Sequence, residues 1–124
     1  SLKQTIKAKE IIAVKGIIFN IKAGKCIAIE TRNSDTIKQA QKLGFVLVIQ
    51  KDPKKGGMNV KARPDSNIIL EPLYNAVLTM DQVGSWFYHN SGKMLINSSR
   101  KHHDKKPTPL KLSEMVALVK EIYR

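Results

Sequence analysis

The hydrophobic positions of this chain come in pairs of short runs separated by turns, and a stripe with helical spacing follows each pair. Residues 11–21 and 26–31 are rich in Ile, Val and Phe, which favour a pleated strand. We expect these two runs to form a first hairpin, with residues 23–25 as its turn and Gly16 as a bulge.

A short helix is predicted after this hairpin. Ile37, Ala40 and Leu43 have helical spacing, and Gly44 suits the left-handed backbone position that often ends a helix. Three residues before the stripe have side-chain oxygens that can accept an orphan N–H at the start of the helix: Asn33, Ser34 and Asp35. A helix between the first and second hairpins follows from this pattern.

The second hairpin and a second helix come next. Residues 45–49 are continuously apolar, which indicates a strand buried on both faces, and residues 58–63 return after a turn at 52–57. The helix is predicted from an apolar stripe, with Pro72 in its first turn, where the missing N–H is tolerated. The stripe consists of Leu70, Leu73, Tyr74, Val77 and Leu78.

The third hairpin joins residues 86–89 to residues 93–97 through a tight turn at 90–92. A polar loop at 98–109 follows, and Ser113 is placed to cap a last helix. The core-facing positions of this helix are predicted to be Met115, Val116, Val119, Ile122 and Tyr123.

Three hairpins alternating with three helices predict an α+β fold. Short turns imply antiparallel pairing within each hairpin, so we expect a mostly antiparallel or mixed sheet. The three helices would pack on one face of this sheet in a two-layer arrangement. Residues 1–124 are expected to form a single domain. The abrupt start and the helical pattern at the end suggest a fragment of a longer protein.

Composition narrows the class of partner. The 124 residues carry 22 Lys and Arg against 10 Asp and Glu, a formal net charge of +12. The longest apolar run, residues 43–49, is far shorter than the ~20 residues of a membrane helix, so no membrane partner is expected. A single cysteine, Cys26, forms no internal disulfide, which fits a cytoplasmic protein. The positive charge points to a polyanion.

The basic residues are clustered along the chain. Residues 51–63 contain five basic residues and one acid, residues 93–111 contain six and one, and residues 64–92 contain three acids and neither Lys nor Arg. If the two clusters meet in space, they attract nucleic acid or another phosphate-rich ligand. The alternative is that the lysines only make the surface soluble and bind no ligand. The residues predicted to contact a nucleic-acid backbone are Lys54, Lys55, Lys61, Arg63, Arg100, Lys101, Lys105 and Lys106.

The turn of the third hairpin is a candidate phosphate site. Gly92 permits the backbone to curl so that successive N–H groups converge on an anion, and Ser91 adds a hydroxyl. An ordinary hairpin turn is the alternative, because Asn, Ser and Gly are common turn residues. The residues predicted to hold one phosphate are His89, Ser91, Gly92 and Lys93.

Other chemistry is weakly indicated. Trp86 and Tyr88 share one face of their strand and would stack on bases if they were exposed, although such residues more often lie in a core. Residues 102–104 read His-His-Asp, but adjacent residues rarely converge on one metal ion. The acids are scattered and Cys26 has apolar neighbours. We therefore expect no catalytic residue, metal or cofactor in this chain.

Residues 86–94 resemble the aromatic-His-x-Ser-Gly segment near the C-terminus of DHH-superfamily phosphoesterase-like proteins, in particular the melanocyte-proliferating-gene branch. With the hairpin at 45–63, the resemblance spans residues 33–124. It implies a metal-dependent phosphoesterase as the parent protein, and a catalytic domain of the same parent as a partner. The Asp-His-His and Gly-Gly-Gly-His motifs of that superfamily are absent here. The residues implied to form the substrate loop are His89, Ser91 and Gly92, with Lys93 as an addition.

Together these features predict a substrate-binding accessory domain of a larger phosphoesterase-like protein. Its ligand would bear phosphate, with nucleic acid as the leading candidate, and the isolated chain would not be catalytic. The alternative is a structural or oligomerisation domain without a ligand. Three hairpins leave sheet edges, and pairing of such edges in a homodimer is one way to cover them.

Overall fold

The structure is a computed structural model that describes residues 1–97 and 106–124. Within these residues, four helices and six strands follow one another along the chain. The helices are α1 (Leu2–Lys15), α2 (Thr36–Lys42), α3 (Glu71–Met80) and α4 (Leu112–Ile122). The strands are β1 (Ile17–Ile21), β2 (Gly24–Glu30), β3 (Leu47–Lys51), β4 (Met58–Ala62), β5 (Phe87–Tyr88) and β6 (Met94–Ile96).

The strands form a mixed sheet in the order β1-β2-β3-β4-β6-β5. β2 and β3 are parallel, because α2 connects them as a crossover, and the other neighbouring strands are antiparallel. The three predicted hairpins correspond to β1–β2, β3–β4 and β5–β6. The predicted α+β class and the mixed sheet are therefore confirmed.

The helices differ in detail from the predicted three on one face. α3 and α4 cover one face of the sheet with a large apolar cluster that includes Leu73, Val77 and Met115. On the other face, α1 and α2 pack a smaller cluster, which includes Ile12 and Ala40, against β2 and β3. The sheet thus lies between two helical layers, where one layer was expected.

Helix α1 occupies part of the segment predicted as the first strand. Ser1 and Gln4 cap each other's backbone N–H groups, which starts the helix. Ala8 and Ile12 lie one turn apart and are both buried, so they supply the inward face. At Gly16 the backbone becomes extended, and a side chain there would collide with that of Ile27. Gly16 therefore joins a helix to a strand and is not a bulge.

Several predicted boundaries also shift. The first hairpin turns at residues 22–23, because Gly24 already pairs with Ile21. α4 begins after Lys111, whose N–H donates to Glu114 Oε1 at 2.8 Å, so Ser113 lies inside the helix and does not cap it. Other details are confirmed. Gly44 has a φ of +98° directly after α2, and α3 has a proline in its first turn, as expected.

Candidate nucleic-acid interface

The four residues predicted to hold a phosphate lie together at the tip of the β5–β6 hairpin. Ser91 Oγ lies 2.8 Å from His89 Nδ1 and accepts a hydrogen bond from the Lys93 amide at 3.1 Å. The Ser91 amide donates to His89 Nδ1, and the Gly92 amide donates to the His89 carbonyl, both at 3.0 Å. The amides of this turn are thus hydrogen-bonded within the turn itself in this conformation.

The side chain of Lys93 also has partners. Its Nζ donates to the carbonyl oxygens of Ser66 and Ile68, each at 2.6 Å. Gly92, with a φ of +77°, accepts a hydrogen bond from the Leu70 amide at 2.8 Å. These contacts join the hairpin tip to the loop before α3. Among the four predicted residues, Ser91 is the one that is exposed, and the ring of His89 is half-buried beside it.

The turn at residues 52–57 presents the first basic cluster. Asp52 fixes the backbone of this turn, because its carboxylate accepts hydrogen bonds from the amides of Lys54 and Lys55 at 2.8 and 3.0 Å. Arg32, from the loop after β2, lies 3.4 Å from the same carboxylate. Burial alone would raise the pKa of Asp52, but these amides and the guanidinium outweigh it and lower the pKa. The side chains of Lys54 and Lys55 remain exposed.

The segment that carries the second basic cluster lies against this turn. Gly56 is in close contact with Pro107, since a Cβ at Gly56 would lie 3.7 Å from the proline Cβ. Lys51 Nζ donates to the carbonyls of Gly56 and Leu110 at 2.9 and 3.0 Å, which bonds the two segments together. Lys106 and Lys111 of the second cluster therefore lie beside the turn that carries Lys54 and Lys55. We call this surface the basic end; its exposed cations are Lys54, Lys55, Lys106 and Lys111.

A buried carboxylate fixes the second segment in place. Asp81 Oδ2 accepts hydrogen bonds from Thr108 Oγ1 at 2.6 Å and Trp86 Nε1 at 2.9 Å. Its Oδ1 accepts the amides of Val83 and Gly84 at 2.9 and 2.7 Å. Burial alone would raise the pKa of Asp81, but these four donors outweigh it and hold the pKa below its ordinary value. The Asp81 carboxylate is therefore charged, and each of its oxygens accepts two hydrogen bonds.

Asn97 completes this arrangement and is itself fully buried. Its Nδ2 donates to the carbonyls of Ser85 and Lys106 at 2.7 and 2.9 Å, and its Oδ1 accepts the Thr108 amide at 2.8 Å. Asn97, which directly follows β6, is thus hydrogen-bonded to the backbone of Lys106. Lys106 is held at the basic end by these backbone contacts.

The remaining predicted contacts are distributed differently. Lys61 is half-buried on the sheet face opposite α3 and α4. Arg63 is engaged by Asp65, whose carboxylate lies 2.6 Å from its Nε. The predicted Arg100, Lys101 and Lys105, and the His-His-Asp run at 102–104, lie outside the described residues.

Trp86 and Tyr88 belong to the core, as the more frequent alternative anticipated. Trp86 is buried, and the ring of Tyr88 stacks on Tyr74 of α3 with centroids 5.3 Å apart. Phe87 points to the opposite face and is 39% exposed. The prediction that such residues more often lie in a core is therefore confirmed, because α3 covers their face of the hairpin.

Several residues that build the interface were not singled out from the sequence. Arg32 and Lys51 were counted only as charges, and Asp81 was counted only as an acid. A usable signal existed for Asp81, since an aspartate three residues before a glycine is typical of a turn in which the carboxylate accepts the following amides. Asn97 and Thr108 offered no such signal, because their partners are distant in sequence.

Two specific kinds of reactive site are absent from the described residues, a cluster of metal ligands and an activated thiol. In residues 1–97 and 106–124, His, Cys, Asp and Glu side chains do not gather in threes as a metal site requires. Burial raises the pKa of Cys26 to about 12, so its thiol is not a nucleophile at neutral pH.

Comparison with known proteins leaves the resemblance noted above as an expectation: no protein-family model matches this chain, and no curated protein is similar to it. Across residues 1–97 and 106–124, every helix is too short or too polar to span a membrane.

Proposed function

We propose that this chain is a substrate-binding domain for a phosphate-rich polymer, nucleic acid, and that the basic end contacts the backbone of that polymer. The observation that carries the proposal is the contact between the turn at 52–57 and the segment at 106–111. It gathers exposed lysines from two distant parts of the chain onto one surface. Within residues 1–97 and 106–124, these lysines form no salt bridge with Asp or Glu, so their charge is directed to solvent or to a ligand.

The hairpin tip is proposed to supply one additional phosphate contact. The exposed Ser91 hydroxyl and the adjacent His89 ring are the groups there that a phosphate would reach first. Lys93 would then support the site by holding the tip against the loop before α3, and its charge would add to the local field. The domain would serve a larger phosphoesterase-like protein whose catalytic groups lie elsewhere in the parent chain, as the resemblance implies.

The test is a salt titration of binding, with the 124-residue chain and a fluorescent RNA of about 12 nucleotides in single-stranded and duplex form. We expect affinity to fall steeply as salt rises from about 50 to about 200 mM. Combined replacement of Lys54, Lys55 and Lys106 with Ala should reduce the slope of log K against log salt by about two, or about 0.7 for each lost contact with a single strand.

The matched control removes the same charge from the helices on the opposite sheet face to α3 and α4: Lys9 and Lys15 of α1 and Lys42 of α2 are also exposed and are replaced with Ala together. This variant should keep the slope of the wild type. Binding that is absent at low salt, or a slope that falls equally in both variants, would overturn the proposal.

A second candidate, homodimer formation, rests on the outer strand β1. β1 lies at the edge of the sheet, and Ile17 and Ile18 are 51% and 61% exposed on it. An exposed apolar edge invites pairing with a second copy. Light scattering should then give a dimer mass for the wild type and a monomer mass for Ile18→Lys. A monomer at all concentrations of the wild type would remove this candidate.

A further inference from the structure

The ring of His89 at the hairpin tip accepts hydrogen bonds through Nδ1. The backbone amide of Ser91 lies 3.0 Å from this nitrogen, and an amide N–H can only donate. Nδ1 therefore carries a lone pair, so the ring is neutral and its one N–H is at Nε2. The Ser91 hydroxyl, 2.8 Å from Nδ1, then donates to the same lone pair. The hydrogen-bond network thus assigns both the charge and the tautomer of His89.

The other contacts of the tip agree with a neutral ring. The Lys93 amide donates to Ser91 Oγ at 3.1 Å, which leaves the hydroxyl proton free to point at Nδ1. The Gly92 amide donates to the His89 carbonyl at 3.0 Å. The amides of Ser91, Gly92 and Lys93 are therefore all bonded within the hairpin while His89 is neutral, and an anion cannot use them in that state.

A proton on Nδ1 reverses this arrangement. Nδ1–H and the Ser91 N–H are then two donors that face each other, so the amide loses its acceptor. The ring gains a positive charge at the same moment. Because Ser91 is exposed, a ligand can reach the released amide. An anionic oxygen satisfies such donors, and its hydrogen bonds to charged groups are the stronger kind.

Building on the proposed function, we propose that His89 is a proton switch for the phosphate contact at the hairpin tip. The tip is closed while the ring is neutral, and it binds a phosphate oxygen when the ring is protonated. Since the anion binds the protonated form, its affinity for the tip rises as the pH falls through the range in which histidine ordinarily gains a proton. The lysines of the basic end keep their charge throughout this range.

The neighbouring elements offer no other titration of this kind within the described residues. The charged or titratable side chains on β4, on the loop before α3, on the first turn of α3 and on the hairpin itself are Lys61, Arg63, Asp65, Glu71, Tyr88 and Lys93. Arg63 and Asp65 pair with each other at 2.6 Å, and the Lys93 ammonium is bonded to two carbonyls. Histidine is the side-chain type that ordinarily changes its charge between about pH 5 and 8.

The test follows the binding of inorganic sulfate to the ¹⁵N-labelled chain by NMR, at about pH 5.5 and about pH 8 and at constant ionic strength. Sulfate is a dianion at both pH values, so a change in affinity comes from the protein. We expect sulfate to shift the amides of Ser91 and Lys93, with a dissociation constant about tenfold or more lower at the acid pH. The ring nitrogens should show Nδ1 without a proton at the higher pH.

Three variants separate the switch from other causes. His89→Asn keeps an oxygen that can accept the Ser91 amide but takes up no proton, so the tip should bind sulfate weakly at both pH values. His89→Lys is charged at both pH values and has no lone pair for the amide, so it should bind at both. His102→Gln combined with His103→Gln removes the other two histidines of the chain and should keep the pH dependence of the wild type.

The outcomes distinguish this inference from the proposed function. Equal sulfate affinity of the tip at the two pH values, a pH dependence that persists in His89→Asn, or a proton on Nδ1 at the higher pH would each overturn the switch. The salt dependence carried by the lysines of the basic end would then still uphold the proposed function. Conversely, RNA binding that is absent at low salt, with the pH-dependent sulfate shifts intact, would overturn the basic end and uphold the switch.

Discussion

The two parts of the sheet are stabilised in different ways. β2 and β3 are covered on both faces, and Ile27, Ile29 and Val48 are completely buried under α1 and α2. In the described part of the chain, β4, β6 and β5 bury side chains against the cluster of α3 and α4, and we call their other face, where Lys61, Met94 and Ile96 are half-buried, the open face. A strand pair with two covered faces gains apolar burial on both, whereas the outer strands gain it on one.

Polar contacts compensate at the ends of the outer strands. Lys93 holds the hairpin tip through two carbonyls, Lys51 joins the turn at 52–57 to the Leu110 carbonyl, and Asp81 and Asn97 hold the segment at 106–108. The comparison indicates that a sheet face with less apolar burial depends more on polar contacts. Side-chain to backbone hydrogen bonds at its rim provide an alternative, and several of them use charged groups, which bond more strongly.

The largest expected effect is on the hydrogen bonds of Lys51, Asp81, Lys93 and Asn97 at the strand ends, which we call the polar rim. Asp81→Ala leaves the Thr108 hydroxyl, the Trp86 indole and two amides without their acceptor, and we expect it to lower the free energy of unfolding by about 4 kcal/mol. Asp65→Ala is the control, because this carboxylate is 72% exposed, and it should cost less than about 1 kcal/mol. Urea unfolding measures both. Similar values for the two variants would remove the distinction between a buried polar rim and surface charge.

The next effect compares the two parts of the sheet directly. Ile27→Ala removes buried methyl groups from a strand covered on both faces and should cost about 3 kcal/mol. Ile96→Ala acts on the open face and should cost about 1 kcal/mol or less, since its side chain is only half-buried. The midpoints of thermal unfolding report the order. Equal losses would mean that the open face is as well packed as the covered one.

The hairpin tip provides a smaller effect. Lys93→Met keeps the length of the side chain but removes two hydrogen bonds from its ammonium group, and we expect a loss of about 2 kcal/mol. Lys120→Met, at an exposed position of α4, should be neutral. Denaturant titration distinguishes them. Unchanged stability of Lys93→Met, together with lost nucleic-acid binding, would instead assign Lys93 directly to the ligand.

The smallest effect is a dependence on pH. The folded state lowers the pKa of Asp81 below the ordinary value of 3.8, so its contribution to stability is fully present above that value and is lost as pH falls through the folded pKa. We therefore expect the wild type to lose stability below about pH 4, and Asp81→Asn to show a weaker dependence over the same range. Unfolding midpoints at a series of acid pH values measure it. Parallel curves for the two proteins would exclude Asp81 as a source of the effect.

Much of the fold follows from local sequence. The turns at 52–57 and 90–92 are rich in Gly, Pro, Asn, Asp and Ser, which favour turns over helices and strands. Both hairpins were therefore predicted close to their true positions. Helix α1 was missed because residues 11–21 are rich in β-branched residues, and the Ser1 and Gln4 cap with the burial of Ile12 outweighs that preference. In this segment, packing and capping outweigh the strand propensity of the individual residues.

The candidate site was predictable only in part. The two basic clusters were visible as charge, but the position of residues 106–110 beside the turn at 52–57 depends on Lys51 and on Asn97, whose partners are 59 and 9 residues away. The exposure of Phe87 could not be predicted for a related reason. Alternation along the strand separates it from Trp86, but which face α3 covers is decided by tertiary packing.

The most direct test of this arrangement is an NMR titration of the uniformly ¹⁵N-labelled chain with a single-stranded RNA of about 12 nucleotides. We expect the amide shifts that change to lie in the turn at 52–57, around Lys106 and Lys111, and at the hairpin tip, while those of α1 and α2 stay constant. Changes concentrated on α1 and α2, or no changes at low salt, would contradict the assignment of binding to the basic end.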